Sequence, residues 1–138
     1  MNILYTTSAV ASGDGRNGHV ESTDGLLSTG VRMPAELGGP GGATNPEQLF
    51  AAGYAACFHS ALKLVAPSLG VDAYDSEVVV DVSLGALPSG AFGLSAAIEV
   101  TLPAADRDLA EKLVERAHEV CPYSNATRGN IEVSLSVA

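Results

Sequence analysis

One long apolar segment, NPEQLFAAGYAACFHSAL at residues 45–62, limits what this chain can fold into more than any other feature. Asn45 is a good helix cap and Pro46 is tolerated at the first helical position, so a helix is predicted to start there. Pro67 ends or kinks that helix, which places its end between positions 65 and 69. The run is too short and too polar to span a bilayer, because it is interrupted by Gln48, His59 and Lys63. It is therefore interpreted as a core helix.

The rest of the chain alternates between strand and helix patterns. Strands are predicted, with glycine-rich turns between several of them, at residues 3–10, 19–22, 26–32, 76–85, 91–102 and 130–137. Residues 106–120 predict an amphipathic helix, with one apolar face formed by Leu109, Leu113, Ala117 and Val120. The order βββαββαβ predicts a single α+β domain over residues 1–138, with antiparallel sheet and one very apolar helix.

The charge balance excludes several classes of partner. The chain has 16 Asp and Glu against 7 Lys and Arg, a net charge of −9. Such a chain repels phosphate backbones and anionic lipid, so neither nucleic acid nor a membrane surface is an expected partner. The first ten residues, MNILYTTSAV, lack the basic and apolar regions of a signal peptide. We therefore expect a cytoplasmic protein whose thiols are reduced at rest.

The only two cysteines, Cys57 and Cys121, belong to different predicted helices. Cys57 falls in the middle of the apolar helix, where the commonest role of a lone cysteine is that of an inert core residue. Burial alone would raise its pKa, so a nucleophilic Cys57 needs a fixed positive charge nearby. Cys121 ends the second helix on its apolar side, and Pro122 favours an extended backbone there. A thiol at the end of a helix moves more easily than one in its middle. A cysteine that closes a disulfide with another, called a resolving cysteine, needs such freedom to move.

The histidines do not complete a metal site with these thiols. His59 is two positions after Cys57 on one helix, so the two side chains diverge by about 200°. His118 and Cys121 could share a face, but they leave too few ligands for a closed zinc site.

The glycines of GDGRNG at residues 13–18 match a dinucleotide-binding pattern, but the helix that should follow such a pattern is not predicted here. We expect no metal and no cofactor.

Four segments carry a resemblance to a known family over nearly the whole chain. They are ELGGPGGATNPEQLFAAGYAACF at 36–58, ALKLVA at 61–66, GAFGL at 90–94 and AHEVCPYSNATRGNI at 117–131. The chain resembles the organic hydroperoxide resistance (Ohr) proteins, a branch of the OsmC-like thiol peroxidases. The resemblance implies the OsmC/Ohr-like fold, with a long apolar central helix in an intertwined homodimer.

The resemblance also implies four catalytic residues. Cys57 matches the peroxidatic cysteine of the family, and Cys121 matches its resolving cysteine. Arg16 matches the arginine that activates the thiolate, with Arg32 as the alternative, and Glu47 matches the glutamate that holds the arginine. The implied reaction reduces alkyl or fatty-acid hydroperoxides through a Cys57 sulfenic acid and a Cys57–Cys121 disulfide. Dihydrolipoamide or a lipoylated protein is the implied reductant.

The residues themselves favour a dimer. The helix is apolar around most of its circumference, more than one sheet layer can cover. Glu47 and Cys57 are ten positions apart, about 15 Å along a helix axis, so Arg16 reaches both only by bridging that gap or from a second subunit.

Two other functions stay open at this point. The first is a small-ligand-binding domain of OsmC-like fold with non-catalytic thiols. The second is another enzyme: an OsmC-like relative acting on other oxidants, or a hydrolase using Cys57 with His59, which helix geometry disfavours.

Overall fold

The computed structural model describes residues 1–138, and their contacts divide into two compact units. The first unit comprises Met1–Leu49 and the second Phe50–Ala138. The expected single domain over residues 1–138 stays a prediction.

The first unit contains a small antiparallel sheet. Its strands are β1 (Ala9–Ser12), β2 (His19–Ser22) and β3 (Ser28–Gly30), in the order β1-β2-β3. The predicted strand at 19–22 is confirmed. The one at 3–10 is wrong over residues 3–8, because β2 is four residues long and pairs only with Ala9–Ser12.

The predicted strand at 26–32 is also too long, because a turn takes its first residues. The carboxylate of Asp24 accepts the N–H of Leu26 at 3.0 Å, and the hydroxyl of Ser22 accepts the N–H of Leu27 at 3.0 Å. Pairing with β2 therefore covers only Ser28–Gly30.

The apolar segment forms α1, Pro46–Val65, as predicted. The side chain of Asn45 caps it by accepting the N–H of Gln48 at 2.9 Å. A 3₁₀ turn over Ala66–Leu69 follows, closed by Gly70 at a left-handed φ of 67°. The expectation that this run is too short and too polar to span a bilayer is wrong, because by length and composition alone Pro46–Leu69 could cross a membrane. The buried residues on its inner face, however, belong to the core of the second unit.

The second unit packs helices against a three-stranded sheet. Its elements are β4 (Glu77–Ala86), β5 (Phe92–Thr101), α2 (Arg107–Val120), α3 (Pro122–Thr127) and β6 (Val133–Val137). β4 and β5 form the predicted antiparallel hairpin. β6 departs from the expected antiparallel arrangement, because the chain crosses over through α2 and α3 and returns parallel to β5. Helix α3 was not predicted.

The core of the second unit brings three elements together. Its largest fully buried apolar side chains come from α1, β5 and α2, and include Tyr54, Phe58, Leu62, Ile98, Val100 and Leu113. The α+β class is confirmed, with a long helix and antiparallel sheets. Not every apolar side chain of α1 is buried in this core, since Leu64 is 75% exposed.

Candidate active site

The two cysteines meet in the second unit. Cys57 lies on α1 and is partly buried, whereas Cys121 lies between α2 and α3 and is fully buried. Their Sγ atoms are 3.7 Å apart, with the thiol of Cys121 placed to donate to Cys57. Both are free thiols. The distance is short enough that a modest local movement could join them.

The junction between α2 and α3 places Cys121. Its backbone is extended (φ −64°, ψ 123°), as expected before Pro122, while its N–H still donates to Ala117 O at 2.9 Å. Pro122 then starts α3, where a missing N–H costs nothing. Hydrogen bonding with the backbone of the next residue, Tyr123, lowers the pKa of the Cys57 thiol. The segment that follows one cysteine thus affects the ionisation of the other.

The surroundings of Cys57 disfavour its ionisation on balance. Burial raises the pKa of the Cys57 thiol, the backbone N–H of Tyr123 lowers it, and the neighbouring Cys121 raises it. The net direction is upward, so most of Cys57 is protonated at neutral pH without further help. Because the thiolate is the reactive form, a peroxidatic Cys57 requires a cation beyond the thiol pair.

The first unit contains an arginine, Arg16, paired with a glutamate, Glu47. Arg16 lies in a 3₁₀ turn, Gly15–Asn17, and Glu47 lies in the first turn of α1. The guanidinium donates two hydrogen bonds to the two carboxylate oxygens, each 2.8 Å long. These bonds raise the pKa of Arg16 and lower the pKa of Glu47. Two of five N–H donors are used, so Arg16 can still donate to an anion.

Arg32, the alternative to Arg16, has different partners. Its guanidinium donates to the carbonyl oxygens of Gly18 at 3.0 Å and Val31 at 2.6 Å. It forms no ion pair with a carboxylate. Of the predicted residues, the structure thus joins Arg16 to Glu47 and Cys57 to Cys121, in separate units. The action of Arg16 on Cys57 stays a prediction.

The histidines bond to serine hydroxyls. His59 Nε2 lies 2.9 Å from Ser76 Oγ, which agrees with the expectation that it points away from Cys57. His118 Nδ1 lies 2.8 Å from Ser124 Oγ, just beyond Cys121 in sequence.

Tyr123, two residues after Cys121, belongs to an aromatic cluster and to the wall of a cavity. The rings of Phe50, Tyr54 and Tyr123 lie with centroids 5.7–6.3 Å apart. Gly53 leaves room for this cluster, since a Cβ there would lie 3.0 Å from Tyr123 Oη. A cavity of about 570 Å³ is lined mainly by apolar side chains, among them Phe50, Leu87, Phe92, Leu94, Tyr123 and Ile131. Tyr123 therefore belongs both to the cavity wall and to the surroundings that set the pKa of Cys57.

Sequence reasoning missed Tyr123 and Gly53. The proline after Cys121 was the available signal for α3, since proline is favoured at the first helical position. The same proline also marks the end of α2, so by itself it does not predict a further helix. The closeness of Gly53 to Tyr123 depends on tertiary packing and had no local signal.

Comparison with known proteins identifies the family. The model of the OsmC-like protein family matches residues 39–136. An organic hydroperoxide resistance protein of Xanthomonas axonopodis pv. citri is 49% identical, over 99% of this chain and 96% of its own length.

Solved structures agree. A crystal structure of an organic hydroperoxide resistance protein from Legionella pneumophila has a TM-score of 0.93 and 56% identity, covering 99% of each chain. One from Vibrio cholerae, with captopril bound in one of its active sites, has a TM-score of 0.92 and 47% identity. It covers 99% of this chain and 94% of its own.

The chain belongs to the OsmC-like family and, within it, to the organic hydroperoxide resistance proteins. The resemblance read from the four sequence segments is confirmed at this level. So is the expectation of an enzyme, since the family is one of thiol-dependent peroxide-detoxifying enzymes.

Proposed function

We propose that this protein is a cysteine-based peroxidase that reduces organic hydroperoxides to alcohols, with Cys57 as the nucleophile and Cys121 as the resolving thiol. The observation that carries the proposal is the 3.7 Å separation of the two Sγ atoms, on different elements of one unit. Two cysteines 64 positions apart have no local reason to meet. A non-catalytic binding domain would have no use for that pairing.

The first step uses the thiolate of Cys57. Its sulfur attacks the outer peroxide oxygen, the O–O bond breaks, and the alkoxide takes up a proton and leaves as the alcohol. Cys57 becomes a sulfenic acid. In this proposal Arg16, held by Glu47, supplies the cation that burial makes necessary, since a guanidinium stays charged where a lysine could lose its proton.

The second step uses Cys121. Its sulfur attacks the sulfur of the sulfenic acid, the S–O bond breaks, and the hydroxide leaves as water after taking up a proton. The resulting Cys57–Cys121 disulfide protects Cys57 from further oxidation. A dithiol such as dihydrolipoamide, free or on a lipoylated protein, then restores both thiols by exchange and is itself oxidised to a disulfide.

The cavity supports bulky organic substrates. Its wall is mainly apolar, and it shares Tyr123 with the thiol pair. An alkyl or fatty-acid chain gains free energy by leaving water for such a wall, whereas hydrogen peroxide gains nothing. We therefore expect catalytic efficiency to rise with the size of the alkyl group.

The proposal includes a homodimer acting in the cytoplasm. Large apolar side chains are exposed on α1 and on the β4–β5 hairpin, including Leu64, Val79 and Phe92. A second copy of the chain would cover such surface, and a two-fold dimer is the commonest way to do so. Free thiols that must return to the reduced state after each turnover suit a reducing compartment.

Steady-state turnover with two reductants tests the proposal. The purified protein is given an alkyl hydroperoxide with dihydrolipoamide or with a thioredoxin system, and hydrogen peroxide replaces the alkyl substrate in a parallel series. We expect efficient turnover of the alkyl substrate with dihydrolipoamide only. Turnover with the thioredoxin system but not with dihydrolipoamide would contradict the proposed reductant. A preference for hydrogen peroxide would contradict the proposed substrate class. No consumption of any peroxide would favour the binding domain.

A further inference from the structure

A buried chain of hydrogen bonds lies beside the thiol pair. The hydroxyl of Tyr54 is 2.9 Å from Ser124 Oγ and 3.1 Å from Thr127 Oγ1, and Ser124 Oγ is 2.8 Å from His118 Nδ1. Tyr54 and Ser124 are fully buried in an otherwise apolar core. Polar groups are costly to bury unless they are paired, so the pairing fixes the relative positions of the elements that carry them.

The positions of these residues relate the chain of bonds to both cysteines. Tyr54 lies three residues before Cys57 on α1, and Ser124 lies three residues after Cys121 on α3. His118 lies three residues before Cys121, so the bond between His118 and Ser124 spans the resolving cysteine. The hydroxyl of Ser124 is the point where the elements that carry the two thiols are tied together.

The resolving step requires Cys121 to be placed accurately relative to Cys57. The two sulfurs, 3.7 Å apart, must approach to about 2.05 Å to form a disulfide. A second hydroperoxide competes for the same sulfenic acid and converts it to a sulfinic acid. Any misplacement of Cys121 therefore changes the partition between disulfide formation and over-oxidation of Cys57.

We propose that the chain Tyr54–Ser124–His118 positions Cys121 for attack on oxidised Cys57, with Ser124 and His118 as positioning residues of the resolving step. The inference rests on the proposed function and adds residues to it. None of the three forms a hydrogen bond to a cysteine sulfur, and they act through the geometry of the α2–α3 junction.

The donors and acceptors in this chain can be assigned in one direction. Burial, and after it the charge of Arg128, lowers the pKa of His118, so its imidazole is neutral at neutral pH. A neutral Nδ1 can accept the Ser124 hydroxyl proton, which leaves Ser124 Oγ to accept from Tyr54. The hydroxyl of Thr127 lies 3.1 Å from both Tyr54 Oη and Ser124 O, and it can donate its one proton to either oxygen. Arg128 donates to His118 O at 2.6 Å and so holds the same junction from outside.

The test separates the two chemical steps in purified full-length protein. Ser124→Ala, Tyr54→Phe and His118→Leu remove one member of the chain each, whereas His118→Asn keeps an acceptor near the position of Nδ1. Ser76→Ala is the matched control, since it removes a hydroxyl–imidazole bond to His59 elsewhere in the same unit. Peroxide loss in a single turnover reports the first step. Mass spectrometry of Cys57 reports the ratio of disulfide to sulfinic acid.

We expect Ser124→Ala, Tyr54→Phe and His118→Leu to raise the sulfinic fraction by about tenfold at a fixed peroxide concentration, because small misplacements slow a positioned reaction strongly. The rate of the first step should stay within about twofold of wild type in the same assay. His118→Asn should restore most of the disulfide yield, and Ser76→Ala should partition like wild type.

Two results would overturn the inference. One is a sulfinic fraction in all three variants equal to that of Ser76→Ala; the other is His118→Asn behaving like His118→Leu. Thermal denaturation gives the melting temperature of each variant. A change in the sulfinic fraction that is caused by lost stability alone should follow the melting temperature, whether or not the variant interrupts the hydrogen-bond chain. A wild-type protein that forms no disulfide would contradict the proposed function itself, and is thus distinguishable from failure of this inference.

Discussion

Arg16 keeps 39% of its side chain exposed, whereas Cys121 is fully buried. The Arg16–Glu47 pair and the Cys57–Cys121 pair differ in their surroundings in the same way. Arg16 and Glu47 are both charged and lie in a unit whose sheet has an entirely exposed strand, β1. Cys121 lies in the apolar core of the other unit, and Cys57 packs against that core. Each pair lies where its chemistry costs least, because charges need water or a counter-charge and an alkyl substrate needs apolar surface.

Neither region alone has all the groups that the proposed peroxidase reaction needs. The apolar region can accept an organic substrate, but burial raises the pKa of Cys57 and so suppresses its reactive form. The polar region keeps a guanidinium permanently charged but holds no thiol. The proposed reactivity therefore depends on the charge of Arg16 acting on the thiol of Cys57, and that dependence can be tested directly.

The largest effect is expected for Cys57→Ser. A hydroxyl is close in size to a thiol but is a far weaker nucleophile, so peroxide turnover should fall to background while the fold is kept. Steady-state peroxide consumption measures the loss, and circular dichroism checks the fold. Retained turnover would mean that the apolar region does not hold the nucleophile.

Arg16→Ala should have the next largest effect. An opposite charge lowers a neighbouring pKa by about 1 to 3 units, so its loss should cut the thiolate fraction at neutral pH by about 10- to 1000-fold. The pH profile of Cys57 alkylation should move to higher pH by the same amount. Arg32→Ala is the matched control, since Arg32 contacts only carbonyl oxygens. If Arg32→Ala is the impaired variant, the charge was assigned to the wrong arginine.

Mixing two inactive variants tests whether the two regions cooperate across subunits. Cys57→Ser chains and Arg16→Ala chains are unfolded, mixed and re-paired, with each variant refolded alone as the control. If one subunit supplies the arginine to the other, heterodimers hold one working site, and random pairing should restore about a quarter of wild-type activity. No recovery in re-paired heterodimers would mean that each chain supplies its own arginine. A fully active monomer in light scattering would exclude the dimer altogether.

The smallest effect is expected for Glu47→Gln, measured as the free energy of unfolding. Arg16 lowers the pKa of Glu47 from its ordinary value of 4.5, so the ion pair stabilises the folded state fully above that pH. The contribution is lost as the pH falls through the lower folded value. Because Arg16 is partly exposed, we expect a loss of only about 1 kcal/mol at neutral pH. A difference from wild type that persists in strong acid would contradict the electrostatic origin.

The sequence was sufficient for elements with local signals and insufficient for relations between distant elements. Asn45 and Pro46 marked the start of α1 correctly because capping is local. The parallel direction of β6 depends on a crossover connection, which strand patterns do not encode. The bond between Tyr54 and Ser124 joins positions 70 apart and could not be read from either residue. The pairing of Cys57 with Cys121 was expected only from family resemblance.

The most direct test of the central claim is a thiol count after one equivalent of an alkyl hydroperoxide, followed by peptide mapping. We expect both thiols to disappear together and a disulfide to link Cys57 to Cys121. Cys121→Ser, treated in the same way, should stop with a sulfenic acid on Cys57. Two thiols that remain titratable in the wild-type protein, or a disulfide that joins two copies of the same cysteine, would contradict the account.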